Sequence, residues 1–562
     1  MLTLCLATAI FGFSHSSHGL ASIDTSYKWF YLQADLSKQP DVDKATKAID
    51  SAAQAGYNGV IFEDATLETG PTVTPAYNAA LQQIVGQAKR LNIELIPSIS
   101  PIGSAEAFLS RDPSIVESMP CKSVRFTLTT GLLKPSEPVT PIVNGGFDAF
   151  TGDLPTGFTG THQLDVKVAQ DTAVKHGGAS SLRVDGQPTS VAGKGGVAYK
   201  QALVVRPWHQ YRISIWTKAT KAVGASLDLS ILSSAGRQIG FMRWNNTPDW
   251  TKNDMLFNSQ DETNASLSIV VQPVPDAQVW LDDLTFEDVG LLNITRRGNC
   301  PVVIRGDDGV IYNEGLDVNK VVDPFYTPAN WTGRFDISHA TPTPTVGPIS
   351  RIHEGQSVLM DYYAAAIVDG GATICPNESR TRAALRAEVK KVVGLTHPHF
   401  VLLKISNVRA LGWDPGCEAT GLTAGEIISK FVKDETGLIR SVDKSVQIVL
   451  PSDMFDPNDN ALDQFFLMKG SAAGSIKGVP KDAIILNSNF THPAESLGFF
   501  AGQGYQQVLW GYNDNADHIK SISDWEKIAG NMQGIKGYAY VTRTGDYSHL
   551  TDFSQFAAAG AR

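Results

Sequence analysis

The sequence predicts a parallel barrel of alternating strands and helices, interrupted after its third strand by an antiparallel β-sandwich. Three observations predict this. Strand and helix patterns alternate over the first 100 residues. Short strands without helices fill residues 141–288. The strand–helix alternation then returns from residue 356 to the end.

In the first segment, Lys28–Ala34, Gly59–Asp64 and Ile93–Ile99 read as strands, and Asp41–Ala55 and Tyr77–Leu91 as helices. That βαβαβ order implies parallel strands joined by right-handed crossovers. From Pro141 to Asp288 the strand candidates include Ser181–Val184, Tyr211–Trp216, Ala225–Leu232, Ser266–Val271 and Gln278–Leu284, separated by Gly, Pro and Asn turns. Regular short strands of this kind make a sandwich or jelly roll. Residues 291–355 read as a Pro- and Thr-rich connector. Beyond it come strand candidates Ser357–Tyr363, Phe400–Ile405, Ser445–Leu450, Ala483–Asn487, Gln507–Trp510 and Gly537–Val541, with helices at Arg380–Val393 and Thr423–Lys433. An eight-stranded (β/α)8 TIM barrel of about 250 residues has one place too few for these nine candidates. Ser357–Tyr363 or the first strand is therefore expected to lie outside it. The resulting division is 22–135 and 356–562 for the barrel, 136–290 for the insert and 291–355 for the connector.

Residues 1–21 read as a signal peptide, with an apolar run Leu2–Phe13 and a small-residue cleavage site at Gly19-Leu20-Ala21, though no Lys or Arg precedes the run. This predicts a secreted, periplasmic or cell-surface protein. Four cysteines would remain: Cys121, Cys300, Cys375 and Cys417. In an oxidising compartment they could form Cys121–Cys300, stapling the base of the insert, and Cys375–Cys417; otherwise they are four buried thiols. No two have the close spacing of a zinc ligand set, so no metal and no cofactor is expected. With 42% hydrophobic and 19% charged residues, and a net charge of -10 without a long basic run, the composition argues against nucleic acid or an anionic membrane as partner. No stretch has the roughly 20 apolar residues of a membrane span. A neutral ligand such as a poly- or oligosaccharide fits better.

Barrel chemistry sits at the C-terminal ends of the strands. The polar residues expected there include Glu63, Asp64, Asp361, Asn407, Asp453, Asp456 and Asp514. Carboxylates around one mouth suit glycoside hydrolysis, which pairs an acid with a base or nucleophile. Asp453, Asp361, Glu63 and Asp64 are the catalytic candidates. Trp510, Tyr512, Asp514, Trp413, Asn407, Arg409 and Asp456 are the substrate-binding candidates. Asp and Asn also serve as caps and turn formers in such loops, and aromatics as core.

Asn144-Gly145-Gly146-Phe147-Asp148, Gly177–Arg183 and Val279-Trp280-Leu281-Asp282-Asp283 resemble carbohydrate-binding modules of the family 4/9 type. That resemblance implies a jelly roll gripping glycan by aromatic stacking, with Trp208, Trp216, Trp244 and Trp250 as candidates. The barrel, through Ile93–Ile99, Val408–Trp413, Asp453–Pro457 and Trp510–Asp514, resembles family-20 glycoside hydrolases, the β-N-acetylhexosaminidase-like barrels. Those enzymes carry an adjacent Asp-Glu pair at a strand end. Here the matching place reads Ser406-Asn407, and Val541-Thr542-Arg543 stands where a Trp is expected. Three readings follow: a glycosidase using other carboxylates, a non-catalytic glycan-binding protein on a degenerate barrel, or another barrel chemistry such as a lyase or deacetylase.

Overall fold

The computed structural model describes residues 26–560 apart from 69–72, 163–165, 189–195, 222–225, 246, 331, 513, 515–520 and 531. The proposed signal peptide lies outside the described residues. Eight parallel strands close into a barrel in the order Tyr27–Gln33, Gly59–Glu63, Glu94–Ile99, Phe400–Leu403, Gln447–Pro451, Ile484–Asn487, Gln506–Tyr512 and Ile535–Val541. The first strand is thus a barrel strand. It pairs with the last at Tyr27↔Gly537 and with the second at Trp29↔Gly59.

Both faces of the barrel strands are buried, which is why they read as near-continuous apolar runs. Trp29, Ile61, Ile96, Leu402, Val449, Ile484, Val508 and Ala539 fill the interior. Phe30, Val60, Phe62, Val401, Ile448 and Ile485 lie in the larger core shared with the helices. Gly59 makes room for the interior tryptophan: a Cβ there would meet Trp29 Cδ1 at 2.3 Å. The helices Gln39–Gln54, Pro75–Arg90, Ser379–Thr396 and Ala424–Val442 lie in the connections. Thr423 and Glu426 form a reciprocal capping box that fixes the start of the last of these.

Barrel strands three and four are neighbours, with Leu402↔Ser98 and Leu403↔Ile99 in register, although residues 100–399 lie between them in sequence. That excursion contains the sandwich. One five-stranded antiparallel sheet runs Thr251–Asn258, Gln210–Ala219, Gln278–Asp288, Ser181–Gly186, Val166–Asp171. The other runs Gln238–Asn245, Ser226–Ser233, Asn264–Gln272, Val197–Val204, Thr159–His162. Inward residues such as Leu182, Ile213, Leu229, Ile269 and Leu281 make their common core.

A third antiparallel sheet was not anticipated. Its order is Ile311–Tyr312, Val303–Gly306, Ser357–Ala365, Ser118–Thr129, Leu132–Pro135. It takes in Ser357–Ala365, the surplus strand, so Asp361 stands outside the barrel. Its long ladder pairs Ser118 with Ala365 and Thr127 with Ser357, which brings the start and end of the excursion together. The expected cysteine staple is absent: all four cysteines are buried free thiols. Cys121 sits in the apolar core of the third sheet, whereas Cys300 faces Ser118 and Asn299. Cys375 and Cys417 are neighbours at 3.5 Å without a bond. The β-ladder does the stapling.

Behind barrel strand three lies a small acidic network. Ser100 donates its N–H to Glu388 and its hydroxyl to Glu435. Burial raises the Glu435 carboxyl from 4.5 to about 7. A folded carboxyl that holds its proton to about pH 7, against an unfolded one that loses it near 4.5, makes stability fall as pH rises between those values. Glu435→Gln is therefore expected to match the parent near pH 4.5 and to exceed it by about 1–3 kcal/mol at pH 8 in urea denaturation.

Candidate functional site at the barrel mouth

A cavity of about 590 Å³ opens at the C-terminal ends of the barrel strands, within the size range of small-molecule sites. It is lined by residues that include Tyr31, Glu63, Lys404, Asp453, Trp510 and Arg543. Ser104, Glu106, Asn407 and Arg543 also line a second compartment of about 360 Å³, bounded by Asp369, Thr373 and Arg409. The shared residues make one continuous cleft.

Glu63 ends the second strand. Its Oε1 accepts from Lys404 Nζ at 2.7 Å and its Oε2 from the Tyr31 hydroxyl at 2.8 Å. Lys404 also reaches buried Glu68 at 3.3 Å. Burial raises the Glu68 carboxyl to about 7 despite that ammonium. The two carboxylates raise Lys404 above the usual ammonium range, outweighing the opposing effect of its burial.

Asp453 follows the fifth strand, three strands from Glu63 around the ring. Its Oδ2 accepts from the Ser406 hydroxyl and the Asn407 N–H, each at 3.1 Å, and from the Asn460 amide at 3.4 Å. Its Oδ1 is shielded and has no partner among the described residues. Burial raises the Asp453 carboxyl above the ordinary value, and these donors offset only part of that. The local backbone makes this possible. Asn407 adopts φ 55°, a left-handed geometry that Asn tolerates. A Cβ on Gly103 would stand 1.8 Å from Ser406 O, so only glycine lets the two loops approach. Ser406-Asn407, where the family-20 pair was expected, thus serves to hold Asp453.

The other candidates divide. Trp510 lines the cavity beside Tyr31, ring centroids 6.2 Å apart. Arg409 lines the second compartment, ion-paired to Asp369 and over the Phe466 ring. Tyr512 is buried and stacked on Tyr540. Asp514 accepts from Thr542, Arg543 and Thr544 and so fixes the loop after the last strand. Asp456 is fully buried and binds Asn458 and Asn489.

Six candidates line neither compartment: Tyr512, Asp514 and Asp456, and also Asp64, Asp361 and Trp413. Asp64 caps the short helix Ala65–Glu68 through Thr66 and Leu67 N–H and also holds Leu36 N–H. Asp361 pairs with Arg305 and accepts from Ser123 N–H on the third sheet. Trp413 is buried in the sandwich core, its indole N–H on Leu467 O. Lys404, Tyr31, Glu106 and Asn460 were not anticipated. Lys404, directly after the fourth strand, carried the signal that could have found it: a charged residue at a strand end.

On the sandwich, the four tryptophans have different places. Trp208 packs against Trp413 under Lys122 at the joint with the rest of the chain. Trp244 packs on the sandwich core. Trp216 and Trp250 are half-exposed and meet at His176, whose ring stacks on Trp216 at 3.8 Å.

Residues 141–278 match the family model of a Carbohydrate binding domain, of the 4/9 type, so the chain carries a module of that kind. The match does not extend to the barrel segments. No curated protein matches the chain. Similar solved structures include TmCBM61 in complex with β-1,4-galactotriose, at 16% identity and a TM-score of 0.22 over 26% of this chain and 95% of that one. Another is the CBM22-1 xylan-binding domain from Paenibacillus barcinonensis Xyn10C, at 16% identity and 0.21 over 27% and 97%.

Lys404 separates two carboxylates that would otherwise face each other in a confined place. Lys404→Met is expected to destabilise the fold by about 3–5 kcal/mol at pH 8, measured by urea denaturation, because it strands buried charge. The loss should shrink below pH 7, where Glu68 takes up a proton.

Proposed function

We propose that the chain is an exported glycoside hydrolase in which a TIM-type barrel cleaves a poly- or oligosaccharide held by the inserted module. The observation that carries this reading is Asp453: a carboxyl at the mouth, raised by burial, with one oxygen held by three donors and the other without a partner among the described residues. Such a group retains a proton to higher pH than an ordinary Asp, and rotation about its Cβ–Cγ bond, turning the shielded oxygen toward the cavity, would let it protonate a leaving glycosidic oxygen. Glu63 supplies the second carboxylate, positioned by Lys404 and Tyr31 to act on the anomeric side. Trp510 offers a ring at the same mouth for sugar stacking. Trp216 and Trp250 offer the module a glycan-stacking surface, consistent with its family match.

The second reading, a glycan-binding protein without turnover, is favoured by Ser406-Asn407 standing in place of the family-20 acids. Reducing-end release from a polysaccharide panel separates the two. The hydrolase reading expects release by the parent chain and a kcat lower by about 10²–10⁴ in Asp453→Asn and Glu63→Gln. Because the acid must be protonated, the rate should fall on the alkaline side as Asp453 ionises. Trp216→Ala should weaken polysaccharide binding about tenfold and leave kcat on short oligosaccharides unchanged. Glycans bound by the parent chain but never cleaved would favour the second reading.

A further inference from the structure

Away from the mouth, three segments distant in sequence bring sulfur and oxygen donors together in the interior. Glu117 precedes the strand Ser118–Thr129, Cys375 follows the hairpin Ile367–Val368 and Gly371–Ala372, and Cys417 lies in the short helix Pro415–Glu418. All three are fully buried, and one ligand atom from each lies within 4.8 Å of the others. Spacing along the sequence gives no hint of this set, because each ligand comes from a different part of the chain.

The separations have the size that a tetrahedral zinc imposes. Zinc bonds of about 2.3 Å to sulfur and 2.0–2.2 Å to oxygen place two ligating sulfurs about 3.8 Å apart, and a sulfur and an oxygen about 3.6 Å apart. Cys375 Sγ and Cys417 Sγ are 3.5 Å apart, and Cys417 Sγ is 3.6 Å from Glu117 Oε2. A disulfide would need about 2.05 Å. The Asn377 side-chain amide lies 3.4 Å from Cys417 Sγ. Which end of an amide is oxygen is assigned from hydrogen bonding, so a flip of this side chain would turn its oxygen toward Cys417.

The surroundings orient the set. Glu117 Oε1 accepts N–H bonds from Trp413 at 2.7 Å and Asp414 at 2.9 Å, leaving Oε2 for the sulfur side. Such outer hydrogen bonds fix ligand direction. Two thiolates and a carboxylate around a divalent ion leave one net negative charge. Arg297, paired with Glu378 and Asp414, supplies a buried guanidinium in the same cluster.

We propose that Glu117, Cys375, Cys417 and Asn377 bind one structural zinc ion that ties the third sheet to the barrel connections. Four protein donors close the coordination shell, so the ion would stabilise the fold and take no part in the reaction.

The test uses the full chain, stripped of metal under reductant and titrated with zinc alone, then with cobalt(II) alone. The proposal expects one zinc per chain, a rise in Tm on zinc addition, and sulfur-to-cobalt charge-transfer absorption. Cys375→Ser and Cys417→Ser should lose stoichiometric zinc, Asn377→Ala should bind about 10- to 100-fold more weakly, and Cys300→Ser should bind as the parent does. Absence of stoichiometric uptake, uptake unchanged by Cys375→Ser, or a Cys375–Cys417-linked peptide in mass spectrometry would overturn it. Should the serine variants fail to fold, the parent's cobalt spectrum decides: no sulfur charge-transfer band, no site.

Discussion

The rest of the structure depends on one antiparallel ladder, between Ser118–Thr129 and Ser357–Ala365. Barrel strands three and four must meet across residues 100–399. Closing so long a loop costs conformational entropy that grows with the logarithm of its length. The ladder gathers the two ends of the excursion, so the sandwich hangs from a short, hydrogen-bonded neck. Cys121, Val124, Phe126, Val358, Met360 and Tyr362 give that neck its own apolar core. Ala366, Val368, Trp413 and Leu467 then join the sandwich core. The insert is packed against the mouth, not tethered above it.

That packing bears on the site. The hairpin around Asp369 supplies one wall of the second compartment through its ion pair with Arg409, and Asp369 also receives the Arg243 N–H from the sandwich. The cleft therefore runs from the barrel interior toward the module. The Asn407 turn and Gly103 hold Asp453 in the cavity that Glu63 and Lys404 also line. Ser406 and Asn407 thus support a neighbouring acid.

The barrel was legible because strands buried on both faces carry continuous apolar runs, as in Gly59–Glu63 and Ile484–Asn487. The sandwich was legible from alternation and turns, and its motifs agree with the family match. The third sheet was not. Val303–Gly306 and Ile311–Tyr312 are short and lie amid Pro and Thr, and Ser118–Thr129 lies in the segment assigned to the first part of the barrel. Asp361 was misplaced for the same reason: an alternating strand shows its period but not its partners. At the site, Glu63 and Asp453 could be read from strand ends. Tyr31, Glu106 and Asn460 could not, because only closure of the ring brings them to one cavity. Asp64 looked identical to Glu63 in sequence, and its helix-capping role emerges only from the turn it stabilises.

Whether the barrel mouth receives a glycan at Asp453 is decided most directly by a crystal structure of the Asp453→Asn chain with an oligosaccharide from a polysaccharide that the parent chain binds. The expected result is a sugar in the mouth, with a glycosidic oxygen about 2.6–3.2 Å from the amide introduced at position 453 and a ring against Trp510. A glycan bound on the sandwich at Trp216 and Trp250, with nothing in the mouth at saturating ligand, would contradict it.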